Sequence, residues 1–248
     1  MTQNEIGVII LAGGFGTRIK NYLGSLPKPL VNVLEKPFLY WIIKFLIHQN
    51  LNNFIITTHY QHKKIDKFVE SISKEGTNIS TVYEKEPLGT GGSVINAITK
   101  TKVKYKHYLI LNGDSLLIEN FNKLISSCLE FNTDGAIFTV FLKNSQRYGT
   151  IEYNEAGLLS GFKEKISGKG YVNAGVYFFK YAFLQKFTGK VENFSLEKDF
   201  FPKIIKNGHA IKVLFSSSNF IDIGTPESLI LADKFVKTSL DDVINVGD

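Results

Sequence analysis

Ile9-Ile10-Leu11-Ala12-Gly13-Gly14-Phe15-Gly16-Thr17-Arg18 is the stretch on which the reading of this chain turns. An apolar run that stops at glycines has the make-up of a strand buried on both faces, expected over residues 7–11, and it leads into a tight turn. Glycines let a backbone approach a ligand closely and aim N–H groups at phosphate oxygens. The dinucleotide pattern G-x-G-x-x-G fails here, because Ile19 stands where the third glycine is needed. The Walker pattern fails as well, since no Gly-Lys-Ser/Thr follows. A plain strand-to-loop turn is the simpler alternative. Against it, Arg18 follows at once and Pro27-Lys28-Pro29 comes soon after. A lysine held between prolines is a preorganised cation.

Outward from this turn, short β-branched runs alternate with amphipathic segments, the pattern of a largely parallel sheet covered on both faces. Strands are expected at 54–58, 80–83, 108–111, 136–142, 176–179 and 211–215. Helices are expected at 37–49, 64–73, 91–99, 121–131, 195–206 and 226–237. The last has strong start chemistry, with Thr225 as N-cap and Pro226 and Glu227 in its first turn. Between 148 and 162 the pattern changes to a hairpin turning at Asn154-Glu155-Ala156-Gly157. No repeat or linker interrupts the chain, so a single domain over 1–248 is expected, with residues 240–248 as a flexible tail.

Composition narrows the function. With 44% hydrophobic and 21% charged residues, the chain can bury an ordinary globular core. One cysteine, Cys128, excludes an internal disulfide. The net charge is +6, but the lysines are scattered without interleaved aromatics, so neither a nucleic-acid nor a membrane partner is expected. A modest positive field suits anionic substrates. The apolar segment around 38–47 is too short to span a bilayer and no signal peptide is visible, so a cytoplasmic location is expected.

Leu11-Ala12-Gly13-Gly14-x-Gly16-Thr17-Arg18 followed by Pro27-Lys28-Pro29-Leu30 resembles the signature of the sugar-1-phosphate nucleotidyltransferases. Further matches follow in that family's order: Glu86-Pro87-Leu88-Gly89-Thr90-Gly91-Gly92, Asn112-Gly113-Asp114, Gly161-Phe162-Lys163-Glu164-Lys165, Asn173-Ala174-Gly175 and Asp222-Ile223-Gly224-Thr225-Pro226. The resemblance implies a Rossmann-like, doubly wound α/β fold whose mostly parallel sheet carries a small β-hairpin insertion for the sugar site. It implies that Leu11, Ala12, Gly13, Gly14, Gly16, Thr17, Glu84, Gly89, Thr90, Asn112 and Gly113 bind the nucleotide. Arg18 and Lys28 would stabilise charge on its phosphates. Gly149, Glu164, Lys165 and Asn173 would bind the sugar phosphate, and Asp114 and Asp222 a Mg2+ ion. Read alone, Asp114 is equally a turn residue and Asp222 a helix-dipole partner. The reaction implied is in-line attack of a sugar 1-phosphate on the α-phosphorus of an NTP, releasing pyrophosphate. Such transfer needs positioning and charge stabilisation more than a protein nucleophile. Homo-oligomers are common in the family.

Base choice turns on Glu84. Many uridylyl and thymidylyl relatives carry glutamine five residues before the loop glycine. A carboxylate only accepts hydrogen bonds, and guanine offers adjacent N1–H and N2–H donors, so GTP is expected. For the sugar, Arg147-Tyr148-Gly149-Thr150 and the chain length most resemble heptose 1-phosphate guanylyltransferases acting in surface-polysaccharide synthesis. The alternatives are a UTP- or CTP-dependent transferase of a hexose, amino-sugar or choline phosphate, and a catalytically silent regulatory homologue.

Overall fold

A computed structural model describes residues 5–16, 19, 23–73, 76–145, 148, 150–163, 168–189 and 191–241. Its strands are β1 (Ile6–Leu11), β2 (Asn32–Val33), β3 (Lys36–Pro37), β4 (Asn53–Thr58), β5 (Asn78–Tyr83), β6 (His107–Asn112), β7 (Ser115–Leu117), β8 (Gly135–Leu142), β9 (Thr150–Tyr153), β10 (Leu159–Lys163), β11 (Gly170–Lys180), β12 (Ile211–Ser216) and β13 (Phe220–Asp222). Its main helices are α1 (Phe38–His48), α2 (His62–Ile72), α3 (Gly89–Lys100), α4 (Phe121–Glu130), α5 (Phe201–Lys206) and α6 (Pro226–Ser239).

β1 lies between β4 and β6, parallel to both, with Val8 opposite Phe54 on one side and Leu109 on the other. Its side chains alternate between two cores. Val8 and Ile10 join one apolar cluster with residues of α1, α2, α4 and α6, while Ile9 joins another with residues of α3 and α5. That alternation is the period-2 geometry of a strand, and it accounts for a run apolar throughout. Helices therefore cover both faces of a nine-stranded sheet, the doubly wound arrangement expected from the sequence. The parallel part is β6-β1-β4-β5, and β12 runs parallel to β8. β11 is the antiparallel element, pairing with β6, β8 and β9. Beside it, β9 and β10 form the expected hairpin, closed by Gly157 N–H donating to the Asn154 carbonyl at 2.8 Å.

Several expectations need correcting. The strand expected at 176–179 is an 11-residue strand, because its first half also finds partners in β8 and β9. The helix expected at 195–206 begins as a π-turn over Leu196–Phe200, with Phe200 N–H donating to the Ser195 carbonyl, before α5 continues. Pro202, which has no N–H to donate, sits where the ladder changes. Leu240, expected to open a loose tail, is buried in the core at 1% exposure, and residues 242–248 lie outside the described part. The capping box at Thr225 and Ser228 starts α6 as its sequence suggests. No described helix is long and apolar enough to cross a membrane.

Candidate active site

Past the carboxyl end of β1 the chain stays beside β4, with Ala12 N–H donating to the Thr57 carbonyl at 3.0 Å, and then turns. Gly16 has φ +61°, and a Cβ there would meet Leu23 Cδ1 at 2.7 Å, so only glycine fits. The turn forms one wall of a cavity of about 460 Å³ at the carboxyl ends of β1, β4 and β6, where open α/β sheets place ligands. Leu11, Gly13, Gly14, Gly16, Lys28, Glu84, Gly89, Thr90, Asn112, Asp114 and Asp222 all line it, so most of the expected nucleotide, cation and metal residues meet in one place. Ala12 and Gly113 stand behind the wall. Ala12 is 1% exposed, and Gly113 abuts β1, its N–H donating to the Leu11 carbonyl at 2.9 Å.

Two aspartates far apart in sequence are joined by strand pairing. β13 runs antiparallel to β7 with Asp222 opposite Ser115, and Ile223 N–H donates to the Asp114 carbonyl at 3.0 Å. Lys28 Nζ donates to Asp114 Oδ2 at 2.5 Å. A Cβ built on Gly224 would lie 2.5 Å from Asp222 Oδ1 and 3.2 Å from Lys28 Nζ, so both carboxylates and the ammonium share one small patch. Among the described residues no group of three or more His, Cys, Asp or Glu side chains could hold a metal ion. Asp114, paired with Lys28, and Asp222, whose Oδ1 accepts from Gly224 N–H at 2.7 Å, are hard oxygen donors of the kind that suits Mg2+, which completes its shell with phosphate oxygens and water, and they do not suit a structural zinc ion.

Opposite the glycine turn stands Glu84, 3% exposed, its Oε1 buried with no hydrogen-bonding partner among the described residues. Burial pushes its pKa up, against the opposing effects of Ser93, the Leu88 backbone, His59 and Lys100. The His59 ring bonds the Glu84 carbonyl at 2.8 Å and so braces this position from outside. The next turn is clamped by a distant segment. Phe194 N–H donates to the Leu88 carbonyl, and Gly91 and Gly92 N–H donate to the Phe194 carbonyl.

The model of a family described as nucleotidyl transferase matches residues 7–239. The chain belongs to that family. Among similar nucleotidyltransferases is the D-glycero-alpha-D-manno-heptose 1-phosphate guanylyltransferase of Aneurinibacillus thermoaerophilus, 33% identical over 91% of this chain and 96% of the relative. Its namesake from Campylobacter jejuni is 34% identical over 88% of this chain and 95% of the relative. The crystal structure of HddC from Yersinia pseudotuberculosis complexed with GMP-PN superimposes with a TM-score of 0.80 at 31% identity, covering 92% of this chain and 98% of that one.

Of the expected sugar-phosphate residues only Asn173 falls within the described part. It lies at a register shift in β11, outside the lining of the cavity, with Oδ1 accepting from Gly175 N–H at 2.9 Å and Nδ2 donating to the Tyr177 hydroxyl at 2.7 Å. Gly175 has φ +69°, and a Cβ there would meet Asn112 Nδ2 at 2.4 Å, so the shifted strand packs closely on the cavity-lining Asn112. Thr17, Arg18, Gly149, Glu164 and Lys165 lie outside the described residues, as does Arg147. Sequence reasoning passed over Phe15, which lines the cavity with its ring 5.3 Å from that of His59, and over Thr57 and Ser93. The available signals were an aromatic residue inside a glycine turn and a hydroxyl near the end of strand β4.

Proposed function

We propose that this nucleotidyltransferase transfers GMP from GTP to a sugar 1-phosphate, a heptose 1-phosphate in particular, and releases pyrophosphate. The observation that carries the base assignment is the buried Glu84 carboxylate, whose Oε1 has no partner among the described residues although Glu84 lines the cavity. A buried acceptor without a donor is costly, and guanine N1–H and N2–H supply two donors side by side. Uracil would set a carbonyl oxygen against the same carboxylate. The resemblance to heptose 1-phosphate guanylyltransferases over most of the chain supports the same base and names the acceptor.

In this reading the glycine turn at 13–16 holds the phosphates on backbone N–H groups, and Glu84 fixes the base. The transfer is an in-line displacement. A phosphate oxygen of the sugar 1-phosphate bonds to the α-phosphorus, the bond from that phosphorus to the α–β bridging oxygen breaks, and pyrophosphate leaves with the electron pair. Lys28 offers positive charge to the phosphates, as does Arg18 by its place in the motif. Asp114 and Asp222 would hold Mg2+, which when bound neutralises charge on the phosphates. Lys165 and Glu164 act on the sugar phosphate together with Asn173. Lys28, Asp114 and Asp222 are all retained, which favours an active enzyme over a silent homologue.

The test is pyrophosphate release with each of the four NTPs against heptose, mannose, glucose and N-acetylglucosamine 1-phosphates, with magnesium present. GTP with heptose 1-phosphate should give the highest kcat/KM. A highest value with UTP or CTP refutes the base assignment, and no turnover with any pair refutes the enzyme.

A further inference from the structure

A run of hydrogen bonds joins Thr90, beside the base-reading loop, to Asn173 on β11, and Glu197 is its centre. Glu197 lies in the π-turn ahead of α5 and lines no part of the cavity. Its Oε2 accepts from Thr90 Oγ1 at 3.0 Å and from Ser195 Oγ at 2.7 Å. Its Oε1 accepts from the Tyr177 hydroxyl at 2.6 Å, and that hydroxyl accepts from Asn173 Nδ2 at 2.7 Å. Tyr177 is fully buried. We propose that Glu197 is a positioning residue that sets the hydrogen-bond polarity of both substrate subsites at once, fixing the Asn173 amide towards the sugar and the Thr90 turn towards the nucleotide. The inference rests on the reading of Asn173 as a sugar-binding residue.

Donor and acceptor chemistry gives the direction. A carboxylate has no proton to offer, so the Tyr177 hydroxyl must spend its single proton on Glu197 and can only accept from Asn173. Burial and the adjacent negative charge of Glu197 hold the phenol protonated. Asn173 must therefore turn Nδ2 to Tyr177, and Gly175 N–H independently calls for Oδ1 on the other side. One amide N–H and one Oδ1 lone pair remain, in a fixed order, for sugar hydroxyls. At the other end Thr90 Oγ1 gives its proton to Glu197 and accepts from Leu196 N–H at 2.8 Å, which ties the start of α3 to the π-turn. Networks of this kind in a low-dielectric interior are rigid when fully satisfied. Replacing the carboxylate by an amide removes the polarity, because glutamine can donate to Tyr177, which could then donate onward.

The test compares Asn173→Ala, Tyr177→Phe and Glu197→Gln with wild type, using KM for heptose 1-phosphate, kcat, and GTP binding by calorimetry without sugar phosphate. Tyr177→Phe should raise the sugar-phosphate KM about tenfold and leave the GTP Kd unchanged, because only the sugar end is cut. Glu197→Gln should raise both constants. A merely structural role would lower Tm and kcat while leaving both unchanged, and that result overturns the proposal. So does an unchanged sugar-phosphate KM in Tyr177→Phe when Asn173→Ala raises it, which leaves the sugar-site reading intact. An unchanged KM in Asn173→Ala removes that reading and the proposal together. Should Glu197→Gln fail to fold, the near-isosteric Tyr177→Phe decides.

Discussion

Asp114 and Lys28 form a short ion pair, and Asp222 stands across the same patch. On the proposed reading, removing one negative charge here weakens metal binding without emptying any core position. Asp114→Asn and Asp222→Asn should each fold, with Tm near wild type, and lose kcat by at least about a hundredfold, roughly 2.7 kcal/mol of transition-state stabilisation. Full turnover in either variant with magnesium present would remove that aspartate from the site. Glu84 gives a second prediction, in stability. Its pKa in the folded protein is raised above the ordinary 4.5 by burial, so the native state holds the proton more tightly than the unfolded chain does. Its contribution is therefore most favourable below about pH 4.5 and is lost as pH climbs through the raised value. Glu84→Gln should accordingly gain Tm relative to wild type as pH rises from about 4 towards 7, and a constant difference across that range would contradict the burial argument. At this scale the meeting of Asp114, Asp222, Lys28 and Glu84 at one cavity was legible, because each sits in a motif singled out in the sequence. His59 and Tyr177 were not legible, since what gives them a part to play is a partner 25 and 20 residues away respectively, across the fold.

The start of α3 and the segment at 192–194 are one unit. Gly89 has φ +67°, and a Cβ there would meet the Phe194 carbonyl oxygen at 2.5 Å, while a Cβ on Gly92 would meet the Glu192 carbonyl oxygen at 2.1 Å. Gly89→Ala should lower stability by about 1–2 kcal/mol from left-handed strain alone, more with the clash, and Tm by several degrees, about 2–8 °C. It should also raise the GTP KM, because the displaced turn carries Thr90. Thermal unfolding within 1 °C of wild type would show that the clamp is slack. Gly89 was read from sequence as a nucleotide-loop residue and lines the cavity, but the second partner of this turn was hidden. The clamp comes from Asn193 and Phe194, which carry no local pattern and meet the loop only through tertiary packing. The same limit explains the long β11, whose pairing partners are distant strands.

Across the whole molecule, the β-branched runs read at 7–11 and 54–58 announced a sheet buried on both faces, and the helices between them announced its double cover. The β13–β7 pair, which brings Asp222 to Asp114, gave no periodic signal in so few residues and was not foreseen, although the motifs had named both aspartates. The molecule thus assembles a carboxylate pair, a glycine turn and the buried carboxylate of Glu84 around one cavity. Guanylyl transfer read by Glu84 is the central claim, and the direct measurement is kcat/KM for GTP and for UTP at saturating heptose 1-phosphate, in wild type and Glu84→Gln. Wild type should prefer GTP by at least about a hundredfold, roughly 2.7 kcal/mol, and Glu84→Gln should shrink that ratio, because an amide both donates and accepts. A wild type that prefers UTP, or a GTP preference unchanged in Glu84→Gln, would contradict it.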